Sequence, residues 1–198
     1  MDITRMTEMK KIRRLILHHA DFDFKDWPIV KQNSPIGDIT DGIASIIKEV
    51  DDWHRKRWVT GLGYHFIVGN GHGIPDGYVA IGRPMKYQGA HVKRHNHDSA
   101  GILVMGNLVE HEPTDAQVAG VASICATLCF VFDLDPLGEY SRRRFGRKQE
   151  GMVISGHNDW SGHETNDCPG RLSDFLSGIR METQSLLFSR MMTLPYTP

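Results

Sequence analysis

Short apolar runs separated by polar, glycine- and proline-containing segments predict a fold in which strands alternate with helices. Five such runs predict buried strands, over residues 13–19, 63–69, 78–81, 101–105 and 152–156. The first ends at His18 and His19, followed by a polar loop over 20–39. In the second, strict alternation would place Tyr64 and Phe66 on the same face of the sheet.

Three segments have helical periodicity, over residues 41–57, 115–132 and 171–190. In the first, Ile43, Ile46 and Val50 recur at helical spacing, and Thr40 is the predicted N-cap. The second opens with Thr114-Asp115-Ala116-Gln117, which has the pattern of a capping box. Strands interleaved with helices predict an α/β domain with a central sheet of about five or six strands flanked by helices.

Residues 133–150 have no clear periodicity, and within them 141–148 concentrate five basic side chains: Arg142, Arg143, Arg144, Arg147 and Lys148. Such a run can attract an anionic surface or polymer. A solvated loop is the favoured interpretation. The end of the chain, residues 191–198, is predicted to be frayed.

Composition limits the possible functions only broadly. A chain of 198 residues is typical of a single domain, and a formal charge of -1 gives no reason to expect a nucleic-acid partner. We expect no membrane insertion, because no apolar stretch approaches the roughly 20 residues that span a bilayer. The charged N-terminus lacks the apolar core of a secretory signal, so we expect synthesis in the cytoplasm. We also expect a monomer.

Three residues far apart in the chain carry the donor types that zinc prefers. His18 ends the first apolar run, His157 follows the run at 152–156, and Cys168 lies eleven positions later in a polar, glycine-containing loop. Two imidazoles and one thiolate leave a fourth position open for water, which is typical of catalytic zinc and indicates a hydrolase. His19 and His163 are rival ligands that this reasoning leaves open.

The other polar residues allow more than one interpretation. Asp159 either orients His157 as a hydrogen-bond acceptor or caps the loop. The remaining cysteines, Cys125 and Cys129, lie in an apolar stretch and are expected to be small buried thiols. An odd number of cysteines argues against a disulfide framework.

Six segments occur in the order seen in zinc-dependent N-acetylmuramoyl-L-alanine amidases, which include phage endolysins and peptidoglycan recognition proteins. They are Leu17-His18-His19-Ala20, Gly63-Tyr64-His65-Phe66-Ile67, Gly89-Ala90-His91, Asn96-His97-Asp98-Ser99-Ala100-Gly101, Thr114-Asp115-Ala116-Gln117, and Gly156-His157-Asn158-Asp159 with Asp167-Cys168-Pro169-Gly170. The chain therefore resembles this family from about residue 13 to about residue 180.

The resemblance implies a single amidase domain over 1–198, with a mixed sheet, zinc in a surface cleft and an insertion at 133–150. It makes His18, His157 and Cys168 the zinc ligands and places Tyr64 beside the reacting water. It puts His91 on the wall of the substrate groove, and His163 and Thr165 are further candidates for substrate binding. The implied reaction is hydrolysis of the amide between N-acetylmuramic acid and the L-alanine of the stem peptide.

One departure from the family pattern concerns the reaction chemistry. Asn166 stands where phage members often have lysine and recognition proteins often have threonine, so it is the candidate donor to the oxyanion, without a charge. The leading hypothesis is a phage or prophage endolysin that acts on the cell wall after release from the cytoplasm. The alternatives are a cytoplasmic amidase that recycles anhydro-muropeptides, whose relatives usually have aspartate in place of Cys168, and a muropeptide recognition module that does not cut.

Overall fold

A mixed five-stranded sheet forms the centre of the protein, as predicted. The computed structural model describes residues 3–57, 60–144 and 147–193. Its sheet strands are β1 (Arg14–His19), β2 (Phe66–Val68), β3 (Val79–Ile81), β4 (Ser99–Val104) and β7 (Ile154–Gly156). Their order is β3-β2-β4-β1-β7, and neighbouring strands are parallel except for the antiparallel pair β2 and β3.

One face of the sheet is apolar along its whole length and is covered by two helices, α2 (Asp115–Phe132) and α3 (Leu172–Thr193). Leu15 and Leu17 of β1 point to this face and pack with Ile102 and Val104 of β4. Burial of these aliphatic side chains provides the main driving force for folding, at about 25 cal/mol per Å² of apolar surface.

The opposite face is divided between two smaller apolar clusters. Helix α1 (Ile36–Arg55) covers the first through Ile46 and Val50, which pack on Ile67 and Leu103. The second contains Ile16, Val92, Tyr140 and Trp160. On this same face, β1 carries His18 two positions beyond Ile16, so a polar side chain lies close to both clusters.

The capping box of α2 is confirmed. Gln117 N–H donates to the Thr114 side chain, and Thr114 N–H donates to the Gln117 side chain, so the helix begins where the sequence indicates. Cys125 and Cys129 are buried on its inner side, as expected. The reason given for expecting no membrane insertion is wrong for α2, which by length and composition alone would be able to cross a membrane. In the structure its inner side packs in the core on the sheet.

The other two helices differ from the prediction at their ends. Helix α1 begins at Ile36 after an N-cap at Pro35, and Thr40 is an interior residue whose hydroxyl donates to the Gly37 carbonyl. The sequence pattern did not predict this start, because Ile36 in the first turn is exposed and the helix lacks a side-chain cap. Helix α3 continues to Thr193, so residues 191–193 are helical rather than frayed. The predicted fraying of 194–198 lies outside the described residues.

The predicted loop at 141–148 is wrong, although its residues 141–143 are exposed as expected and 145–146 lie outside the described residues. Strands β5 (Glu139–Arg144) and β6 (Arg147–Met152) form an antiparallel two-stranded sheet that begins within the segment interpreted as an insertion and ends two residues beyond it. The Tyr140 hydroxyl donates to Asp98 at 3.0 Å, and Arg142 also reaches that carboxylate, at 3.2 Å. These contacts connect the polar hairpin to the main sheet, which its own sequence does not reveal.

Tyr64 and Phe66 do not share a face, because β2 begins only at Phe66. Phe66 packs under α2 and α3, whereas Tyr64 packs with the cluster under α1. The irregular backbone before the strand therefore turns Tyr64 to the same side of the sheet as His18.

Candidate metal centre

Sheet register brings the first two candidate ligands together. Leu17 of β1 pairs with Gly156 at the end of β7, so His18, the next residue of β1, lies beside His157, the first residue after β7. A hydrogen bond from Asn158 N–H to the Cys168 carbonyl, at 3.1 Å, then holds Cys168 beside them. The cluster lies at the carboxyl ends of the parallel strands, where ligands commonly bind in open α/β sheets.

His18, His157 and Cys168 form a group that can bind a metal ion. One ligand atom from each residue lies within 4.8 Å of the others. His18 Nδ1 is 3.6 Å from Cys168 Sγ, and the His18 and His157 ring centroids are 4.8 Å apart. Two imidazole nitrogens and one sulfur suit a borderline-soft divalent ion and leave one tetrahedral position for a non-protein ligand.

The rival ligands are engaged elsewhere. His19 Nδ1 accepts backbone hydrogen bonds from Leu108 at 3.1 Å and from Asp21 at 3.2 Å. His163 contacts His157 rather than the centre of the group, with its Nδ1 3.0 Å from His157 Nε2. Asp159 caps the loop by accepting a hydrogen bond from Gly156 N–H at 2.7 Å.

Burial keeps the three donors neutral when no cation is near. It lowers the pKa of His18 well below its usual value, with the His91 and His157 imidazoles adding to the effect, and it lowers the pKa of His157 to about 4. It raises the pKa of the Cys168 thiol to about 12. Neutral imidazoles have the free lone pair that a metal binds, and a divalent cation would favour the buried thiolate.

His91 lies against His18, and glycine makes room for it. Its Nδ1 is 3.0 Å from His18 Nε2, and its ring lies over Gly101 of β4. A Cβ at Gly101 would come within 2.6 Å of the His91 ring, and one at Gly89 within 2.3 Å. A side chain at either position would therefore displace the imidazole from the wall of the cleft.

Tyr64 stands beside the cluster, with its ring centroid 5.1 Å from that of His18. Burial raises the pKa of its phenol, and the nearby Cys168 adds to this effect. At neutral pH the phenol is therefore protonated and can donate a hydrogen bond.

His54, which sequence reasoning missed, also contacts the Tyr64 ring, at a centroid distance of 5.1 Å. Its Nδ1 accepts from Gly63 N–H at 2.7 Å, and burial lowers its pKa to about 4. The available signal was its position four residues after Val50, on the predicted inner face of α1.

The loop before Cys168 forms one wall of a cleft of about 760 Å³ that His157 and Cys168 also line. Thr165 and Asn166 line this cleft, whereas His163 does not. Asn166 Oδ1 accepts from Cys168 N–H at 2.8 Å, so its carbonyl end is committed and its amide end is the donating one.

The remaining walls of the cleft are aromatic and charged. Phe22, Trp53 and Tyr64 provide aromatic surface. Lys56 and Arg57 stand just beyond α1, and Asp21 and Asp167 lie on other parts of the wall. A cleft of this volume with both charges and rings suits a ligand that is polar along its length.

Among the described residues, a second group with ligand-like spacing comprises Asp23, Glu110 and His111. Two of its three members are exposed, and the Lys25 ammonium lies 2.7 Å from Asp23. That ammonium already balances the carboxylate, so this group is a weaker metal site than the buried one.

Comparison with known proteins finds a matching family and similar phage endolysins. The family described as N-acetylmuramoyl-L-alanine amidase matches residues 8–171. The chain is 28% identical over 118 residues to an endolysin of Enterobacteria phage T3, covering 57% of this chain and 64% of that one. It is 31% identical over 87 residues to an endolysin of Escherichia phage T7, covering 41% and 54%. The matched regions thus span less than two thirds of both endolysins.

A solved structure supports the fold independently. The N-acetylmuramoyl-L-alanine amidase LysC from Clostridium intestinale URNW superposes with a TM-score of 0.60 at 19% identity, covering 93% of this chain and 95% of that one. At this level of identity the likeness concerns the fold alone.

Proposed function

Because this chain belongs to the N-acetylmuramoyl-L-alanine amidase family, we propose that it hydrolyses the amide between N-acetylmuramic acid and the L-alanine of the stem peptide in peptidoglycan. The supporting observation is the group of His18, His157 and Cys168, in which His18 is buried and the half-buried His157 and Cys168 line a cleft. Similarity to phage endolysins favours a lytic enzyme that acts on the cell wall after release from the cytoplasm. We take residues 1–198 as one amidase domain acting as a monomer.

His18, His157 and Cys168 hold a zinc ion in this proposal. Their donor types and spacing fit zinc with one open position. When bound there, zinc supplies Lewis acidity and makes water nucleophilic at neutral pH. The protein contributes the geometry, because β1, β7 and the loop before α3 fix all three donors at one edge of the sheet.

Tyr64 acts as a hydrogen-bond donor in the reaction. Its protonated phenol beside His18 can orient the attacking water or stabilise the oxyanion that develops on the lactyl carbonyl. A phenol with a raised pKa is a poor general base at neutral pH, so the donor role is the favoured one.

Asn166 and the surrounding wall hold the substrate. The Asn166 amide N–H groups are directed by the bond between its Oδ1 and Cys168 N–H, and they stabilise the oxyanion or the departing amine. Thr165 and His91 contact substrate from the rim and wall of the cleft. Mixed charges and aromatic rings fit a substrate that joins a sugar to a short peptide with carboxylates.

The test is digestion of purified cell-wall sacculi, first with zinc and then with an excess of chelator. Zinc-dependent clearing, with new L-alanine amino termini and intact glycan strands by mass analysis, is the expected result. Cys168→Ala provides the inactive control. Cleavage restricted to soluble anhydro-muropeptides would indicate a recycling enzyme instead. Binding to sacculi without new amino groups would indicate a recognition module and would overturn the proposal.

A further inference from the structure

The imidazole of His163 is held at both of its nitrogens. Nδ1 lies 3.0 Å from His157 Nε2, and Nε2 lies 3.1 Å from the Lys93 carbonyl oxygen. His163 does not line the cleft, and its other ring neighbour is His95, at a centroid distance of 6.0 Å. These contacts connect one candidate ligand to the backbone of the loop around residue 93.

The Lys93 carbonyl oxygen determines which ring nitrogen of His163 and of His157 carries the proton. A carbonyl oxygen only accepts, so His163 Nε2 must carry the proton. In the neutral ring, His163 Nδ1 is then bare and must accept from His157 Nε2–H. His157 Nδ1 is left with a free lone pair, which is the form a metal ion requires.

A parallel chain of contacts leads from His18 to the same loop. Ser99 Oγ donates to the His95 carbonyl at 2.8 Å, so it can accept from His91 Nε2 at 3.4 Å. His91 Nδ1 then accepts from His18 Nε2–H at 3.0 Å. This leaves a lone pair on His18 Nδ1, the atom that lies 3.6 Å from Cys168 Sγ.

We infer that His163 is a positioning residue that fixes the tautomer and ring orientation of His157, with the Lys93 carbonyl as the fixed point. The inference rests on the proposed metal site and goes beyond it, because it assigns His163 to ligand geometry rather than to substrate binding. Before any metal arrives, the hydrogen bonds at Nε2 of both imidazoles already keep the Nδ1 lone pair of each ring free. Partners of this kind typically contribute about 10- to 100-fold in metal affinity.

The experiment measures zinc affinity of the full chain by competition with a chelator, without using activity. His163→Phe keeps a ring but removes both hydrogen bonds, and we expect about 10- to 100-fold weaker zinc binding. His163→Gln retains an acceptor and a donor, and we expect it to restore part of the affinity. His111→Phe removes a histidine from the exposed group with Asp23 and Glu110, and it should bind zinc at the buried site as wild type does.

A second measurement reads the tautomer directly. Nitrogen-15 spectra of the metal-free protein should show His157 protonated at Nε2, and His163→Phe should lose this preference while retaining the melting temperature of the metal-free protein. A purely structural role would lower that melting temperature and leave the tautomer unchanged.

The outcomes separate the inference from the proposed function. Wild-type affinity in His163→Phe, or a proton on His157 Nδ1 in the metal-free protein, would overturn the inference even if sacculi are cut. Zinc binding that depends on His163 in a protein that does not cut sacculi would overturn the function alone. Zinc affinity unaffected by Cys168→Ala would overturn both the metal site and the inference built on it.

Discussion

Two polar clusters, one buried and one partly buried, lie on the same face of β1, one at each end of the strand. The arginine cluster comprises Arg14, Asp98, Tyr140 and Trp160, and the histidine cluster comprises His18, His91, His157 and Cys168. In the first, Arg14 Nε donates to Asp98 at 3.1 Å, and its guanidinium carbon lies 4.2 Å from the centroids of both the Tyr140 and Trp160 rings. The second contains no such charge pair.

The difference indicates which cluster is structural. A buried guanidinium is tolerated because a carboxylate and two aromatic faces offset its lost hydration. Burial by itself raises the pKa of Asp98, but His97 and Arg14 outweigh it and hold that pKa well below its usual range. The buried charges of Arg14 and Asp98 are therefore paired within the arginine cluster. In the histidine cluster, His18, His157 and Cys168 are neutral donors whose ligand atoms lie close together, and such a group can bind a cation.

Both clusters are connected by hydrogen bonds to the carbonyl oxygen of His95. The His95 carbonyl accepts from Ser99 Oγ, at the end of the His91 chain, and from Arg14 Nη2 at 3.0 Å. The comparison can therefore be tested by substituting a residue of one cluster and measuring whether both the zinc affinity and the free energy of unfolding change.

The largest effect is expected from Cys168→Ala, which should abolish both zinc retention and wall hydrolysis. With only two imidazoles left, the site loses its thiolate and its charge compensation. The far-ultraviolet circular dichroism spectrum should be preserved, because Cys168 lies outside the sheet and helices. Cys129→Ala, at a buried thiol of α2, is the matched control and should keep zinc. An active Cys168→Ala protein without metal would refute the assignment of the histidine cluster.

Arg14→Met should do the opposite and damage the fold. It removes the guanidinium partner of the buried Asp98 carboxylate and leaves His97, Tyr140 and Arg142 beside it. Loss of one member of a buried ion pair typically costs about 3–5 kcal/mol of the free energy of unfolding. Urea unfolding measures this loss, with the exposed neighbour Arg13→Met as the control, expected to change stability by at most about 0.5 kcal/mol. If zinc affinity fell as far as in Cys168→Ala, the two clusters would have to be treated as one unit.

Tyr64→Phe should separate metal binding from turnover. The ring still packs beside His18, so zinc affinity should be unchanged, while loss of the hydroxyl donor should lower kcat by about 10²- to 10³-fold. The exposed Tyr78→Phe is the control. Unchanged kcat in Tyr64→Phe would make this tyrosine a packing residue only.

A smaller effect concerns pH and the buried His65, which belongs to neither cluster. Its Nδ1 accepts from Gly101 N–H at 2.9 Å and its Nε2 faces the Tyr87 carbonyl at 3.0 Å, while burial lowers its pKa to about 4. The unfolded chain binds the proton more readily, so the stabilisation is complete above about pH 6.5 and is lost as the pH falls towards 4.

Unfolding of the metal-free protein at a series of pH values tests this contribution. Loss of the His65 contribution amounts to at most about 3 kcal/mol. His65→Gln should show a shallower dependence on pH over this range, even if it is less stable throughout. If the free energy of unfolding depends on pH in the same way in the wild type and in His65→Gln, His65 does not contribute to this dependence.

Local sequence was a good guide where local interactions decide the structure. The capping box marks the start of α2, and apolar runs mark the middle of β1 and the end of β4, because strands covered on both faces are mostly apolar. The hairpin of β5 and β6 was missed because its strands are polar and are held by pairing and by distant partners such as Asp98. Tyr64 was assigned to the wrong face because β2 is shorter than its apolar run.

The sequence by itself determined the donor chemistry at this site, since two imidazoles lie at the ends of apolar runs and a thiol lies in the polar loop that follows the second of them. Donor chemistry alone left His19 and His163 open as ligands, and only the resemblance to amidases singled out His18 and His157. The tertiary structure brings these two together, because the register of β1 against β7 places His18 beside His157, while backbone N–H groups occupy His19 and the Lys93 carbonyl holds His163 behind His157. Those choices depend on hydrogen bonds between residues tens of positions apart, and no local pattern encodes them.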